Sequence, residues 1–437
     1  MTRFIPPPLL SAHRALTMGI LCWMLRRKSL HPLYKPVARR MLYVAASSLP
    51  YHISGYTTRT HELIRAMAAL GADMQVVTRP GYPWDRRDRL AEPESDATSF
   101  DDVLYTHARS PSKYRLVAQY AIQAAPVIAQ WAENARVECV HAASNHANAL
   151  PALLAARRLG IPFQYEMRGM WELSRASREP GYENSHDFNL GLELECLVAS
   201  HADRVLVISE QLRQYVMQAW NIPAERLSLL PNCVDPARVA PRIEQGDSQS
   251  VSPNTIGYAG SLIGYEGLDT LIEAVGILAD QGVDTRLEII GDGEARPELI
   301  RLVGRLGLAS RVRFCARVAP KEAHAMLARC ALVCIPRKPF KVCEIVPPIK
   351  LVEAMVLGKP VIVPDLPVFR DELGKEPAGF FFKASDADDL ARVIGQALAD
   401  PQALVKLGAR GRAYVLEHRQ WREHVAGALK SVLAGAF

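Results

Sequence analysis

The feature that most constrains this chain is an alternation of short apolar runs with longer amphipathic ones, met twice and interrupted once. From residue 41 the runs "MLYVAA", "DMQVVT", "ECVHAA", "FQYEMR" and "RVLVIS" are separated by helical patterns such as 57–70, 146–158 and 210–219. Strands regularly spaced by helices specify a parallel sheet covered on both faces. The pattern pauses at 235–255, "DPARVAPRIEQGDSQSVSPNT", and resumes with "TIGYAG", "RLEIIG", "VRFCA", "ALVCIP" and "PVIVP". The expected fold class is α/β: two doubly wound parallel-sheet (Rossmann-like) domains facing a cleft, with ligands at the carboxyl ends of the strands. The expected division is a basic extension 1–38, a first domain 39–235, a linker 236–254, a second domain 255–415, and a C-terminal helix 416–437 returning to the first domain.

Composition narrows the function classes. A chain of 437 residues, 49% apolar and 22% charged, is neither disordered nor a multispan membrane protein. Residues 1–40 hold eight Lys or Arg and no Asp or Glu, so the net +6 becomes −2 once they are set aside. The body therefore offers no broad field for nucleic acid. The run "ALTMGILCWMLRRK" (15–28) is too short to span a bilayer, and its basic cluster follows the apolar stretch where a secretory signal would precede it. It is expected either as an amphipathic helix on an anionic membrane surface, with Arg26, Arg27 and Lys28 at the headgroups, or as a disordered extension. Eight cysteines without a CxxC pair read as reduced thiols of a cytoplasmic protein.

One segment resists a purely structural reading. "CEIVPPIKLVEAMVLGKPVIVPD" (343–365) keeps Glu344, Lys350 and Glu353 inside an apolar run. Carboxylates are rarely buried without a partner. The two prolines suit a helix entry near Pro348, which places Glu344 in the preceding loop, Lys350 in the first turn and Glu353 deeper in the helix. The unpaired N–H groups of that first turn suit a diphosphate, and a carboxylate just inside suits the vicinal hydroxyls of a ribose. A buried helix with satisfied carboxylates is the alternative.

"PPIKLVEAMVLGKPVIVPD" resembles the donor-binding signature of family 4 glycosyltransferases, retaining enzymes of GT-B architecture. Further stretches follow in the order that family uses: "HISGYTTRTHEL", "YEMRGMWE", "ADRVLVISEQL", "LPNCVD", "GYAGSLIGYEGLDTLIEA", "IIGDGEARPEL" and "GRAYVLEHRQW". The resemblance implies Glu353 as the ribose-binding glutamate and Glu344 as the one holding the transferred sugar, although eight residues separate them where seven is usual. It implies Gly55 as the loop glycine that lets backbone approach donor phosphate and acceptor, Asp292 and Gly293 near the base, and His141 near the reacting centre, with His146 as a rival and a structural imidazole as the alternative for either.

The chain departs from the family at Ser261 and Glu266, where many relatives carry an arginine and a lysine on the diphosphate. Arg337, Lys338, Lys341 and Lys350 are expected to replace them, with Arg168 contributing from the first domain. A subgroup of exopolysaccharide-assembly transferases shares the "YEGLD" and "PRK" features. The resemblance thus implies a retaining glycosyltransferase moving a sugar from a nucleotide diphosphate donor, UDP-linked by expectation, to a glycan or lipid-linked glycan acceptor. The expected setting is cytoplasmic, peripheral on the inner face of the membrane, in cell-surface or exopolysaccharide assembly. No metal and no cofactor are expected. The alternatives are a nucleotide-sugar epimerase, which needs no acceptor, and a non-catalytic nucleotide-sugar-binding subunit of a glycan-assembly complex, for which the missing cations argue.

Overall fold

The computed structural model describes residues 7–93, 95–236 and 251–433. The chain divides into two compact units, Met1–Pro231 with Trp421–Phe437, and Asn232–Gln420. Most of the expected linker lies outside the described residues, and its last residues belong instead to a strand that begins at Ser252.

Unit 1 is built on eight strands: β1 (Arg40–Ala45), β2 (Asp73–Thr78), β3 (Ala97–Phe100), β4 (Val103–Thr106), β5 (Cys139–Ala143), β6 (Phe163–Met167), β7 (Arg204–Val207) and β8 (Leu227–Leu229). Their order is β3-β4-β2-β1-β5-β6-β7-β8, parallel except for the antiparallel β3–β4 pair. Strands β5 and β6 are buried along their whole length, as a sheet covered on both faces demands. The order reverses between β1 and β5, so the strand ends there form this unit's topological switch point. The helix Gly55–Ala69 leaves β1 through a capping box between Ser54 and Thr57.

Unit 2 carries β9 (Ser252–Ala259), β10 (Arg286–Ile290), β11 (Val312–Cys315), β12 (Cys330–Cys334), β13 (Val361–Pro364) and β14 (Gly379–Phe382), in the order β11-β10-β9-β12-β13-β14 and parallel throughout. Its switch point lies between β9 and β12. Ile256, Tyr258, Leu287, Ile289, Leu332 and Ile362 from the sheet pack against Leu271, Val275 and Ile394 from the helices in one core.

Two terminal segments complete unit 1. The helix Trp421–Leu433 packs on the helix Gly55–Ala69 and buries Val425 and Leu429. The helix Pro7–Arg26 packs on the helices Val117–Ala135, His146–Leu159 and His186–His201, burying Thr17, Leu21 and Leu25 at i, i+4 spacing. Residues 29–37 stay attached through Ser29 N–H to Arg157 O (3.0 Å), Leu33 N–H to Leu159 O (3.1 Å) and Val37 N–H to Arg136 O (2.8 Å). Of the extension, residues 1–6 lie outside the described residues and the rest is folded onto unit 1. Leu21→Ala should therefore cost unit 1 about 2 to 5 kcal/mol, the usual penalty for emptying a closed leucine site. Denaturant unfolding measures it, and an unchanged midpoint would show that this helix is not part of the core.

Candidate functional site

At the switch point of unit 2 the central object is Glu266, at the position where the family resemblance implies a lysine. It sits in a 3-10 turn, Gly264–Glu266, directly after β9, and is only 3% exposed. Arg337, which follows β12, donates to Glu266 Oε1 from Nη2 (3.0 Å) and Nε (3.3 Å). Lys350, in the helix Ile349–Val356, donates to Glu266 Oε2 (2.8 Å) and to the Tyr258 hydroxyl (2.6 Å), which in turn donates to Ser261 O (2.9 Å). Burial works against the charged carboxylate, but Arg337 and Lys350 together hold Glu266 down to about 2. Burial likewise depresses the Lys350 ammonium, and Glu266 opposes that shift.

Two glycines make the cluster possible. At Gly260 (φ +153°) a Cβ would stand 2.7 Å from Lys350 Nζ, and at Gly267 (φ +72°) it would stand 2.0 Å from Pro336 O. Any side chain at either position would push the lysine or the β12 end away.

The other predicted residues of this unit lie in the segments that follow β9, β10 and β12, and Glu344, expected in a loop, is helical. Glu344 lies in the short helix Lys341–Ile345, one-third exposed, with Lys341 Nζ at 3.2 Å. Glu353 is partly open, and His324 Nε2 lies 3.9 Å from its Oε1. Pro348 caps the helix Ile349–Val356 without a side-chain acceptor. Ser261 and Asp292 are exposed, and Asp292 Oδ1 accepts from Gly293 N–H (2.9 Å). Gly293 lies so close to Leu262 O that a Cβ would stand 2.2 Å away. Asn232, in the motif "LPNCVD", donates to Pro347 O (2.9 Å) and fixes the turn before the helix. Lys338 is held by Asp269 (2.5 Å).

One of these assignments needs correction. Arg337 was expected to face a diphosphate, yet it is 8% exposed, gives two donors to Glu266 and gives Nη1 to Val346 O (2.9 Å). It is a positioning group for Glu266. Lys350 differs, because two of its three donors are used and one remains.

At the switch point of unit 1 the same construction recurs around Glu166, at the end of β6. Its carboxylate accepts from Arg59 Nε (3.0 Å) and Nη2 (2.9 Å), from Arg168 Nη2 (2.7 Å) and from the Tyr43 hydroxyl (3.1 Å). Burial opposes the charge, and Arg168 and Arg59 hold this carboxyl well below its ordinary range. Strand register explains the assembly: Tyr43 is level with His141, and His141 with Gln164, so one face of β1, β5 and β6 carries all three.

His141 and Arg168, expected as catalytic groups, belong to this buried network. His141 has no exposed surface, its ring nitrogens lie 3.2 Å from Gln164 Oε1 and 3.3 Å from Glu166 Oε2, and it stacks on Tyr43. Arg168 donates to Glu166, the Tyr43 hydroxyl, Tyr56 O (3.1 Å) and Thr60 Oγ1 (2.6 Å). Neither presents its polar atoms to a substrate, so the geometry makes both of them supports. Gly55, expected in the loop directly after β1, is instead the first residue of the helix Gly55–Ala69, and it is exposed.

The order of strands, the two switch points and the motifs after them agree with known proteins. Residues 54–233 match the glycosyl transferase 4-like domain and residues 242–414 the glycosyl transferases group 1. The chain belongs to the family 4 glycosyltransferases. It is 28% identical over 246 residues to the GDP-mannose-dependent alpha-(1-6)-phosphatidylinositol monomannoside mannosyltransferase of Mycolicibacterium smegmatis, covering 54% of this chain and 64% of that one. It is 24% identical over 384 residues to the 2-deoxystreptamine glucosyltransferase of Streptomyces kanamyceticus, covering 81% and 92%. Among solved structures, the sucrose-phosphate synthase of Thermosynechococcus elongatus superposes with a TM-score of 0.72 at 17% identity over 91% of this chain and 100% of that one. Anabaena HepE in complex with UDP and glucose superposes with a TM-score of 0.66 at 18% identity over 90% and 99%. At these identities the two structures show a shared GT-B fold.

For this family 4 glycosyltransferase, the residues that sequence reasoning missed are Glu166, Arg59 and Tyr258, with Glu266 seen only as a lost lysine. A lone glutamate inside the apolar strand "FQYEMR" was the available signal for Glu166. The Glu266 cluster has a direct consequence for stability. Its carboxyl is ordinarily near 4.5 and lies near 2 here, so the folded state gains stability that is complete above about pH 4.5. That gain is lost as pH falls toward 2. It amounts to about 3 kcal/mol. Glu266→Gln should destabilise unit 2 by about 3 to 5 kcal/mol at neutral pH, because it leaves two cations uncompensated. It should also flatten the acid limb relative to the wild type, and denaturant titrations between pH 2 and 7 would show an unchanged limb if the pairing were unimportant.

Proposed function

We propose that this protein is a retaining, metal-independent glycosyltransferase that moves a sugar from a nucleotide diphosphate donor to a glycan or lipid-linked glycan acceptor in cell-surface or exopolysaccharide assembly. The single observation that carries this reading is the Lys350 ammonium. It is held by Glu266 and Tyr258 at the first turn of a helix whose N-cap has no side-chain acceptor. That arrangement offers one cationic donor, first-turn N–H groups and the positive end of a helix dipole to one diphosphate. Charge accumulates on a leaving diphosphate as the glycosidic bond breaks, so these groups act more strongly in the transition state than in the ground state.

Unit 2 takes the donor in this reading. Glu353 accepts from the ribose hydroxyls, Glu344 holds the transferred sugar, and Asp292 with Gly293 lies at the base. The base assigned is uracil, supported by the solved relative that holds UDP. Unit 1 takes the acceptor through Gly55 and the helix behind it. Retention follows a front-face route in which a donor phosphate oxygen takes the acceptor proton, so no protein nucleophile is required. The two clusters supply rigidity: a carboxylate that fixes two cations keeps the strand ends in place while the charge develops.

The setting proposed is the inner face of a membrane, with a cytoplasmic catalytic body. No helix among the described residues is long and apolar enough to cross a bilayer. The helix Pro7–Arg26 leaves Leu9, Leu16 and Trp23 exposed at heptad spacing, away from its buried Leu21 and Leu25, with Arg26, Arg27 and Lys28 at its end. An apolar stripe beside cations is complementary to anionic headgroups. Trp23→Ser with Leu16→Ser should reduce sedimentation with anionic vesicles and leave transfer to a water-soluble acceptor intact. Equal sedimentation would remove this helix from the membrane role.

The transfer reading is tested by presenting nucleotide sugars with and without acceptors. Product that requires an acceptor supports transfer, whereas a new sugar epimer formed from donor alone overturns it in favour of epimerisation. Nucleotide binding with no turnover across donors and acceptors would leave the binding subunit. Within the transfer reading, Lys350→Ala should lower turnover roughly 100-fold with a smaller change in donor affinity. Glu353→Ala should weaken the free nucleotide by about 1 to 3 kcal/mol in calorimetry, and unchanged affinity would displace Glu353 from the ribose.

A further inference from the structure

A third polar cluster lies in unit 1 and takes no part in the site above. His146, the first residue of the helix His146–Leu159, Glu172, in the helix Trp171–Ala176, and Glu195, in the helix His186–His201, converge after β5 and β6. One donor atom from each lies within 4.8 Å of the other two. His146 Nδ1 stands 3.8 Å from Glu172 Oε1 and 3.7 Å from Glu195 Oε1, beyond hydrogen-bond distance from both. The three are 8%, 2% and 0% exposed.

The cluster is short of positive charge and of hydrogen-bond partners. His146 Nδ1 and Glu172 Oε2 are buried without one. Among the described residues, neither carboxylate has a lysine or arginine within ion-pair distance, unlike Glu166 and Glu266. Two buried carboxylates that face one imidazole, with no cationic side chain paired to either, are costly. The fold nonetheless makes room for them. At Gly191 in the helix His186–His201 a Cβ would stand 2.3 Å from Glu172 Oε1, so a helix-interior glycine is kept where the carboxylate needs the space.

We propose that His146, Glu172 and Glu195 bind one divalent first-row transition-metal cation. A dication neutralises two carboxylates and occupies the unpartnered imidazole nitrogen, and one nitrogen with two carboxylate oxygens is a donor set suited to manganese, iron or zinc. The 3.7 and 3.8 Å separations close to the edge of a coordination polyhedron with a small inward movement of the side chains. Outer contacts that orient the ligands are present: Glu195 accepts from His146 N–H (3.0 Å) and from the Tyr165 hydroxyl. The cation ties the helix after β5, the short helix Trp171–Ala176 and the helix His186–His201 into one unit. Its role is to position the segment Arg168–Glu172, and it stands apart from the leaving diphosphate. The inference does not depend on the transfer reading.

Manganese is the probe of choice, because the eight free cysteines would compete for zinc. The full chain, stripped with chelator and then dialysed, is titrated with Mn2+ while the electron paramagnetic resonance of the free aquo ion is followed. About one equivalent should bind, raise the melting temperature and release protons, as read by calorimetry in two buffers of different ionisation enthalpy. Glu172→Gln and His146→Gln should each weaken binding about tenfold or more and abolish the thermal shift. The two variants guard against one failing to fold, and circular dichroism checks both. No saturable Mn2+ binding by the wild type, or equal binding by both variants, would overturn the proposal and leave a proton-sharing cluster in its place.

Discussion

One buried carboxylate holding two cations at a topological switch point is the interaction on which the rest of this structure depends, and it occurs in both units. Glu166, near the end of β6, holds Arg59 from the helix Gly55–Ala69 and Arg168 just past β6. Glu266 holds Arg337 and Lys350 at the ends of β9 and β12. A carboxylate taken out of water is expensive unless paired, and an arginine or lysine likewise. Each cluster answers both costs at once and retains an excess of one positive charge. That excess sits where parallel sheets collect anionic ligands, beside strand ends and first helical turns.

The two clusters differ in what they leave open. In unit 1 the groups turn inward: His141 and the two terminal nitrogens of Arg168 meet Glu166, Gln164, Tyr43, Tyr56 and Thr60, and Arg168 Nε is buried. In unit 2 the Arg337 donors point inward, while Lys350 keeps one donor and lies at Gly260, where the absence of a side chain leaves its ammonium room. The same electrostatic device therefore acts as a support in one unit and as a support with one unused ammonium donor in the other.

How much of this was legible in the sequence follows from which interactions are local. Strand and helix periodicity placed the sheets, and the prolines at 347 and 348 placed the entry of the helix Ile349–Val356, because those signals act over a few residues. The chemistry of Glu266 was not legible in the same way. A glutamate in place of a lysine reads along the chain as a missing charge, whereas in the fold it meets residues 71 and 84 positions away. His141 and Arg168 failed for the complementary reason: a strand-end histidine and arginine look available until the register of β1, β5 and β6 brings Tyr43, Gln164 and Glu166 onto them.

That geometry also decides how the departure at residue 266 is to be understood. Were Glu266 an eroded lysine, restoring the family residue would add a useful cation. In this fold a lysine there would be buried against Arg337 and Lys350, three like charges with no carboxylate between them, and repulsion at such distances in a poorly solvated site exceeds what one diphosphate contact returns. In this chain the two cations stand just past β12 and in the first turn of the next helix, and the carboxylate at 266 holds both. Glu266, Arg337 and Lys350 thus act as one unit in physical terms, and replacing any one of the three alone removes the compensation for the others.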